Sequence, residues 1–221
     1  EFDYLSLTMP LKEEVLELQS SDKVNVKVDE LGKRIQSINT LVKSGTGWNA
    51  TSTDGSGFVK SLANAGYDRF DSVLVLGAGG AARAVAGALD DIATSVDVMR
   101  RSVRRSPAIA ACFRNIECEF LDWDDSTDLS GYDLVVNTTP SGAADLVADN
   151  LSRNIKGLLF DVLYKPWPTL LARRWSDSGG KTISGLELLL YQGIDQLSLV
   201  TDFAGKAIDK DLRLALANAT N

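Results

Sequence analysis

Ser72-Val-Leu-Val-Leu-Gly77-Ala-Gly79-Gly80-Ala-Ala-Arg83-Ala-Val85 decides the fold. Residues 73–76 form an apolar run with no polar interruption, the pattern of a strand buried on both faces. The run stops at Gly77. Glycines stand at 77, 79, 80 and 87, and alanines fill most of the positions between. From Gly80 the apolar spacing turns helical, with Ala84, Val85, Ala88 and Leu89 on one face. A glycine-rich turn alone is also a plain structural turn, but strand, glycine turn and helix in this order favour a dinucleotide-binding turn. Gly77 takes a turn that a β-carbon would oppose. Gly79 lets the backbone approach a pyrophosphate, and the helix beyond it offers free N–H groups and the positive end of its dipole. Ala82 fills the third position of the G-x-G-x-x-G/A pattern, which the pattern permits.

The next strand selects the dinucleotide. Residues 95–99 read as that strand, and an NAD site would place an acid near its end, on the ribose 2′-hydroxyl. Asp97 has about the right separation but falls inside the strand. Arg100-Arg101-Ser102-Val-Arg104-Arg105 follows. Guanidinium groups meet phosphate oxygens bidentately, so this loop suits the 2′-phosphate of NADP, with Arg101 as its clamp. A solvated basic loop is the other reading. Against a net charge of −7, so dense a basic cluster stands out.

The 221 residues, 44% of them apolar, suffice for one large α/β domain or two small ones. The acidic balance argues against a nucleic-acid partner. No apolar run reaches membrane-spanning length, since Arg83 interrupts the longest, so no membrane partner is expected. Without a signal peptide, and with reduced thiols at Cys112 and Cys118 as the default, the expected location is cytoplasmic. The sequence has no histidine. A Cys/His zinc site is therefore excluded, no metal is expected, and any general acid or base must be Lys, Asp, Glu, Tyr or Cys.

In chain order, residues 2–9 read as a strand ended by Pro10, and residues 11–18 as the start of a helix. Lys12 lies near the head of that helix, where a cation is disfavoured, so it either serves another purpose or is a plain surface lysine. A second helix is expected over residues 28–36 and a strand over 37–42. A hairpin turn at 43–47 leads to a partner strand at 48–53. Asp54 then precedes a helix over 58–65, and an Asp there is explained without any catalytic role as the N-cap of that helix. Beyond the basic loop come a helix at 108–113, an extended stretch at 118–120 and a buried strand at 132–137. That strand runs into Thr138-Thr139-Pro140-Ser-Gly142, a polar turn at a carboxyl end, where ligands bind in open α/β sheets. A strand at 157–162, a helix at 170–176, a strand at 181–183 and helices at 186–196 and 203–217 close the chain. The alternation predicts an α/β fold: a doubly wound parallel sheet, Rossmann-like, with a smaller α/β substrate domain. Residues 1–57 would form the substrate domain and 58–189 the nucleotide domain. Residues 190–221 would return to the first through Phe203, Ile208, Leu212 and Leu216.

Several stretches together resemble shikimate dehydrogenases, over nearly the whole chain. The N-x-T-x-P-x-K segment of that family is matched by Ser6-Leu-Thr8-Met-Pro10-Leu-Lys12, and A-x-N-T-L by Ser37-Ile-Asn39-Thr40-Leu41. N-T-D-x-x-G is matched by Ser52-Thr53-Asp54-Gly55-Ser-Gly57, and N-R-T by Arg100-Arg101-Ser102. Asn137-Thr-Thr139-Pro140-Ser-Gly142 follows N-x-T-P-x-G. D-x-x-Y-x-P-x-x-T is complete at Asp161, Tyr164, Pro166 and Thr169. Gly185-Leu-Glu-Leu188-Leu189-Leu-Tyr-Gln192 follows the closing G-x-x-M-L-x-x-Q.

The resemblance implies NADP-dependent interconversion of 3-dehydroshikimate and shikimate. Lys12 and Asp54 would be the catalytic pair, with Thr8, Asn39, Tyr164 and Gln192 at the substrate. Gly77, Ala78, Gly79, Gly80, Ala81, Arg100, Arg101, Ser102, Arg105, Asn137, Thr138, Thr139, Pro140, Gly185 and Leu188 would be at the cofactor. The protein would be a monomer or homodimer. Ser6 and Ser52 stand where the motifs have asparagine, Leu188 where they have methionine, and Arg100 where N-R-T has asparagine. These departures leave a quinate or amino-analogue dehydrogenase, or a nucleotide-binding relative without catalysis, as the other readings. The family also places a strand and an S-x-S carboxylate-binding loop ahead of these motifs. No such loop precedes Ser6 here, so an N-terminally incomplete substrate domain is expected.

Overall fold

The computed structural model describes residues 2–20, 24–201 and 209–220, and their strands gather into two sheets. β1 (Tyr4–Ser6) is followed by Pro10 and then α1 (Leu11–Glu14), which tightens into a 3-10 helix over Val15–Ser20. β2 (Val26–Val28) leads through Asp29 into α2 (Glu30–Ile35). The expected helix over 28–36 thus begins later. The Asp29 carboxylate accepts from the Gly32 N–H at 2.7 Å, the N-cap bond that fixes its start. Val28 belongs instead to a strand that the sequence reading missed, with Val26 and Val28 buried at period two. β3 (Thr40–Ser44) and β4 (Gly47–Thr51) form the expected hairpin, turning at Gly45 with φ of +58°. The sheet order is β1-β3-β4-β2, and Val15, Val26, Val28, Ile38, Leu41 and Ala50 form its core.

α3 (Asp54–Asn64) connects this sheet to the next. There follow β5 (Phe70–Leu76), α4 (Gly80–Leu89), β6 (Ala93–Arg100), α5 (Ser106–Ala110) and β7 (Glu119–Asp122). Then come β8 (Leu134–Asn137), α6 (Asp145–Asp149), β9 (Leu158–Asp161), α7 (Leu170–Asp177) and β10 (Lys181–Ser184). α5 begins two positions ahead of its expected place because Pro107 lies in its first turn, where a proline starts a helix. All six strands pair in parallel, in the order β7-β6-β5-β8-β9-β10. Counted by appearance within the sheet, that is 3-2-1-4-5-6, the doubly wound order whose switch point lies between its first and fourth strands.

Successive residues of β5 face opposite layers, which is why the run carries no polar position. Val73 and Val75 pack with α3 and α4 residues such as Phe58, Leu62 and Leu89. Leu74 and Leu76 pack with Val147 of α6 and with Leu171 and Trp175 of α7. Burying each such side chain contributes about 1.5–3 kcal/mol. α8 (Gly185–Ser198) packs along α3 and reaches the small sheet through its last turns. α9 (Asp209–Thr220) lies against α8, where Arg213 pairs with Glu187 and reaches the Tyr191 hydroxyl. Leu212 and Leu216 of this helix are half-buried. Phe203 and Ile208, the other two expected anchors, lie outside the described residues.

Candidate active site

The switch point opens between the loops after β5 and β8. Gly77 has φ of +107°, and a β-carbon there would stand 2.6 Å from Thr138 Oγ1. Glycine is therefore required twice over, for conformation and for space. The Thr138 N–H and hydroxyl both donate to the Leu76 carbonyl, at 2.9 and 2.7 Å, tying the two loops together. Gly79 is the N-cap of α4 and has no side chain with which to cap it. A β-carbon on Gly79 would meet only Arg105 Nη1, at 3.7 Å. Open space above Gly79 and an uncapped helix end at Gly80 and Ala81 fit a pyrophosphate.

The basic loop divides. Arg105 Nη1 donates to the Ala78 carbonyl at 3.3 Å, across the glycine turn. Arg101 is exposed, lies 4.9 Å over the Trp123 ring and donates to the Ala143 carbonyl at 3.0 Å, in the loop after β8. Ser102 lies exposed between them. Arg100 is placed differently, because it is the last, buried residue of β6. Its guanidinium donates to Ser106 Oγ at 2.8 Å and the Leu121 carbonyl at 3.1 Å, and pairs with Asp122. Those bonds commit it to the β7 edge of the sheet.

The polar turn after β8 is built inward. Asn137 Oδ1 accepts from the Thr139 N–H and hydroxyl at 3.1 and 2.7 Å, and its Nδ2 donates to Asp161 at 3.1 Å. Asp161 also accepts from Thr169 and the Leu163 N–H. Burial pushes its carboxyl up, and the three hydrogen bonds work against that. Pro140 is exposed at the tip. Gly185 lets α8 start close under the loop after β9, since a β-carbon there would stand 2.0 Å from the Val162 carbonyl oxygen. Leu188, one turn on, packs against the large core.

Lys12 and Asp54 meet beside the small sheet, Nζ to Oδ2 at 2.6 Å. Asp54 is the first residue of α3 rather than its N-cap, and that expectation is corrected: Thr53 holds the cap position and makes no side-chain capping bond. Asn39 Nδ2 donates to Asp54 Oδ1 at 2.9 Å and to Gln192 Oε1 at 3.1 Å. Asn39 Oδ1 accepts from the Thr53 N–H at 2.9 Å and the Thr40 hydroxyl at 2.6 Å. The Thr53 hydroxyl donates to the Gln192 carbonyl at 3.0 Å. Lys12, Asn39, Asp54 and Gln192 are thus gathered from four separate segments. Thr8 and Tyr164 are exposed on the loops after β1 and β9 and make no hydrogen bond to this cluster among the described residues. An ammonium held by a carboxylate can donate a proton to a developing oxyanion and take one back.

Two participants are absent from the expected site residues. Glu13, next to Lys12, lies 3.2 Å from Arg83 Nη2 and 3.9 Å from Arg105 Nη1, and links α1 to the glycine loop. Gln196, four residues past Gln192, contacts the Asn39 carbonyl; its place on the same helix face was the available clue. Among the described residues no helix is long and apolar enough to cross a membrane, and no group of acidic or cysteine side chains is placed to hold a metal.

Fold and site together define a Rossmann-type dinucleotide-binding α/β protein with a lysine–carboxylate pair beside the adjoining sheet. No family model matches the chain. The NADP(+)-dependent shikimate dehydrogenase of Prochlorococcus marinus strain AS9601 is 35% identical, over 90% of this chain and 72% of its own length. That of Methanosarcina mazei is 37% identical, over 90% of this chain and 74% of its own. The Mycobacterium tuberculosis shikimate dehydrogenase structure superposes with a TM-score of 0.82 at 29% identity, covering 97% of this chain and 79% of that one. A Thermus thermophilus shikimate dehydrogenase in complex with NADP(H) and shikimate gives 0.80 at 28%, covering 99% and 79%. The chain belongs to the shikimate dehydrogenase family.

Proposed function

We propose that this chain binds NADP(H) and interconverts 3-dehydroshikimate and shikimate. The observation that carries this reading is the 2.6 Å contact between Lys12 and Asp54, braced by Asn39. Residues 1–57 hold the substrate, 58–189 hold the cofactor, and 190–221 return to the substrate side. The glycine loop from Gly77 to Ala81 frames the pyrophosphate. Arg101, Ser102 and Arg105 meet the 2′-phosphate, while Arg100 braces the sheet edge behind them. Thr138, Thr139, Pro140, Gly185 and Leu188 line the nicotinamide side.

NADPH, when bound, supplies the hydride. Lys12 donates its proton to the carbonyl oxygen as that oxygen becomes an alkoxide, and in the reverse direction takes it back. Asp54 holds the ammonium in place through the 2.6 Å contact. Asn39, Gln192, Thr8 and Tyr164 hold the ring substituents. A cytoplasmic monomer or homodimer completes the reading.

Reduction of NADP+ by the purified chain, followed by absorbance with shikimate and separately with quinate, tests the assignment. Turnover of shikimate with NADP+, faster than with NAD+ and faster than that of quinate, is expected. A chain that binds NADP+ in a titration yet reduces none of it with shikimate rejects the activity. Faster turnover of quinate would attach Ser6 and Ser52 to a different substrate.

A further inference from the structure

Gln196 is 4% exposed, on the face of α8 that carries Gln192 one turn earlier. A buried primary amide needs partners for its donors and its acceptor. Gln196 has four. Its Nε2 donates to the Asn39 carbonyl at 3.1 Å and to Thr40 Oγ1 at 3.0 Å. Its Oε1 accepts from the Tyr4 hydroxyl at 2.7 Å and from Ser6 Oγ at 3.2 Å. One side chain thereby ties α8 to β1, to β3 and to Asn39.

Those partners matter for what they hold in turn. The Thr40 hydroxyl that Gln196 engages is the one that donates to Asn39 Oδ1. Gln196 therefore grips Asn39 twice, directly at its backbone carbonyl and through Thr40 at its side-chain oxygen. The Asn39 amide nitrogen then reaches Asp54 and Gln192. Ser6, another partner, stands where the family motif has asparagine. Gln196 itself lies beyond the closing motif, which ends at Gln192.

We propose that Gln196 is a positioning residue for the Lys12–Asp54 site. It sets the spacing between α8 and the β1–β3 edge, and so fixes where Asn39 and Gln192 present their amides to substrate. This rests on the function proposed above, and the test separates the two. Gln196→Met keeps length and volume but removes all four hydrogen bonds. Tyr4→Phe removes one and is the milder variant should Gln196→Met fail to fold. The Asn39 side-chain amide resonance, assigned through its loss in Asn39→Ala, is recorded in each protein. KM and kcat for shikimate and the affinity for NADPH are measured alongside.

In Gln196→Met the Asn39 resonance shifts, KM for shikimate rises and kcat falls by about tenfold each, and NADPH affinity stays within about twofold. Tyr4→Phe moves the same quantities in the same direction by less. A residue that merely braced the fold would lower the melting temperature and leave the resonance and both kinetic constants in place. An unmoved Asn39 resonance, or KM and kcat both within about twofold of wild type in a folded variant, overturns the proposal. Absence of shikimate turnover in the wild-type protein rejects the activity instead, and the resonance alone then decides the positioning.

Discussion

Lys12 and Asp54 stand 42 positions apart in the chain and 2.6 Å apart in space. Their contact is built from both sides: the Lys12 carbonyl accepts from the Ile38 N–H at 2.8 Å, and Asn39, next along, binds Asp54. Lys12→Met keeps the bulk and removes the charge. It should lower kcat by roughly 10²–10⁴, the usual worth of a positioned proton donor. NADPH affinity should stay nearly unchanged, because the lost interaction belongs to the transition state. Stopped-flow turnover and a fluorescence titration read the two quantities separately. Near-wild-type turnover would return Lys12 to the surface lysines.

Gly57 packs directly under α8, where a β-carbon would lie 2.7 Å from the Gln192 nitrogen and 2.8 Å from its Cβ. Backbone cannot swing aside as a side-chain tip can. Gly57→Ala should therefore displace α8 at Gln192, costing about 1–3 kcal/mol of stability as an overpacked contact. Shikimate KM should rise while NADPH binding persists. Urea denaturation with unchanged KM would show that α8 absorbs the methyl group without moving Gln192.

The arginines of the basic loop should separate by cofactor. Arg101→Ala and Arg105→Ala should weaken NADP by about tenfold or more and NAD far less, since each loses a charge-assisted phosphate contact. Arg100→Ala should lower the melting temperature and leave the NADP-to-NAD preference in place, because its bonds run to Ser106, Leu121 and Asp122. Titration of both cofactors against all three variants decides it. A preference lost in Arg100→Ala alone would reverse the assignment.

Burial pushes the Cys112 thiol from its ordinary value of 9.0 up to about 11, against the pull of Arg83 and Arg34. Between those values the unfolded chain has released the proton and the folded chain still holds it. Stability must then fall as pH rises, by at most about 1.4 kcal/mol per pH unit from this group, while below the lower value its contribution is level. Urea midpoints of wild type and Cys112→Ala across that window give the difference. Parallel slopes would remove Cys112 from the alkaline limit.

The glycine turn was legible because its physics is local: Gly77 answers to φ and to a neighbour's hydroxyl, and no other residue answers both. The expectation of a parallel sheet followed from alternation, but the 3-2-1-4-5-6 order depends on which strands pair across the chain, and residue types do not encode that. β2 went unread because three residues cannot establish period two beside a helix. Asp54 read as a cap because an acid in the first turn and an acid at the cap look alike in sequence. A string of arginines gives the number of guanidiniums, not their directions, so Arg100 could not be told from Arg101. Lys12 was marked by its poor helix position and by resemblance, whereas Gln196 has meaning only once α8 lies against β1 and β3.

Arg83 Nε and Nη2 donate to the carbonyls of Ile35 and Gln36 at 2.9 and 2.6 Å, and beside them a β-carbon on Gly87 would stand 2.7 Å from Ile35 Cγ2. Here α2 and α4 meet too closely for either to slide. Backbone acceptors close this seam on one side and the lack of a side chain closes it on the other, so any residue larger than glycine at position 87 would have to push α2 off α4 and stretch the bonds that Arg83 makes to it.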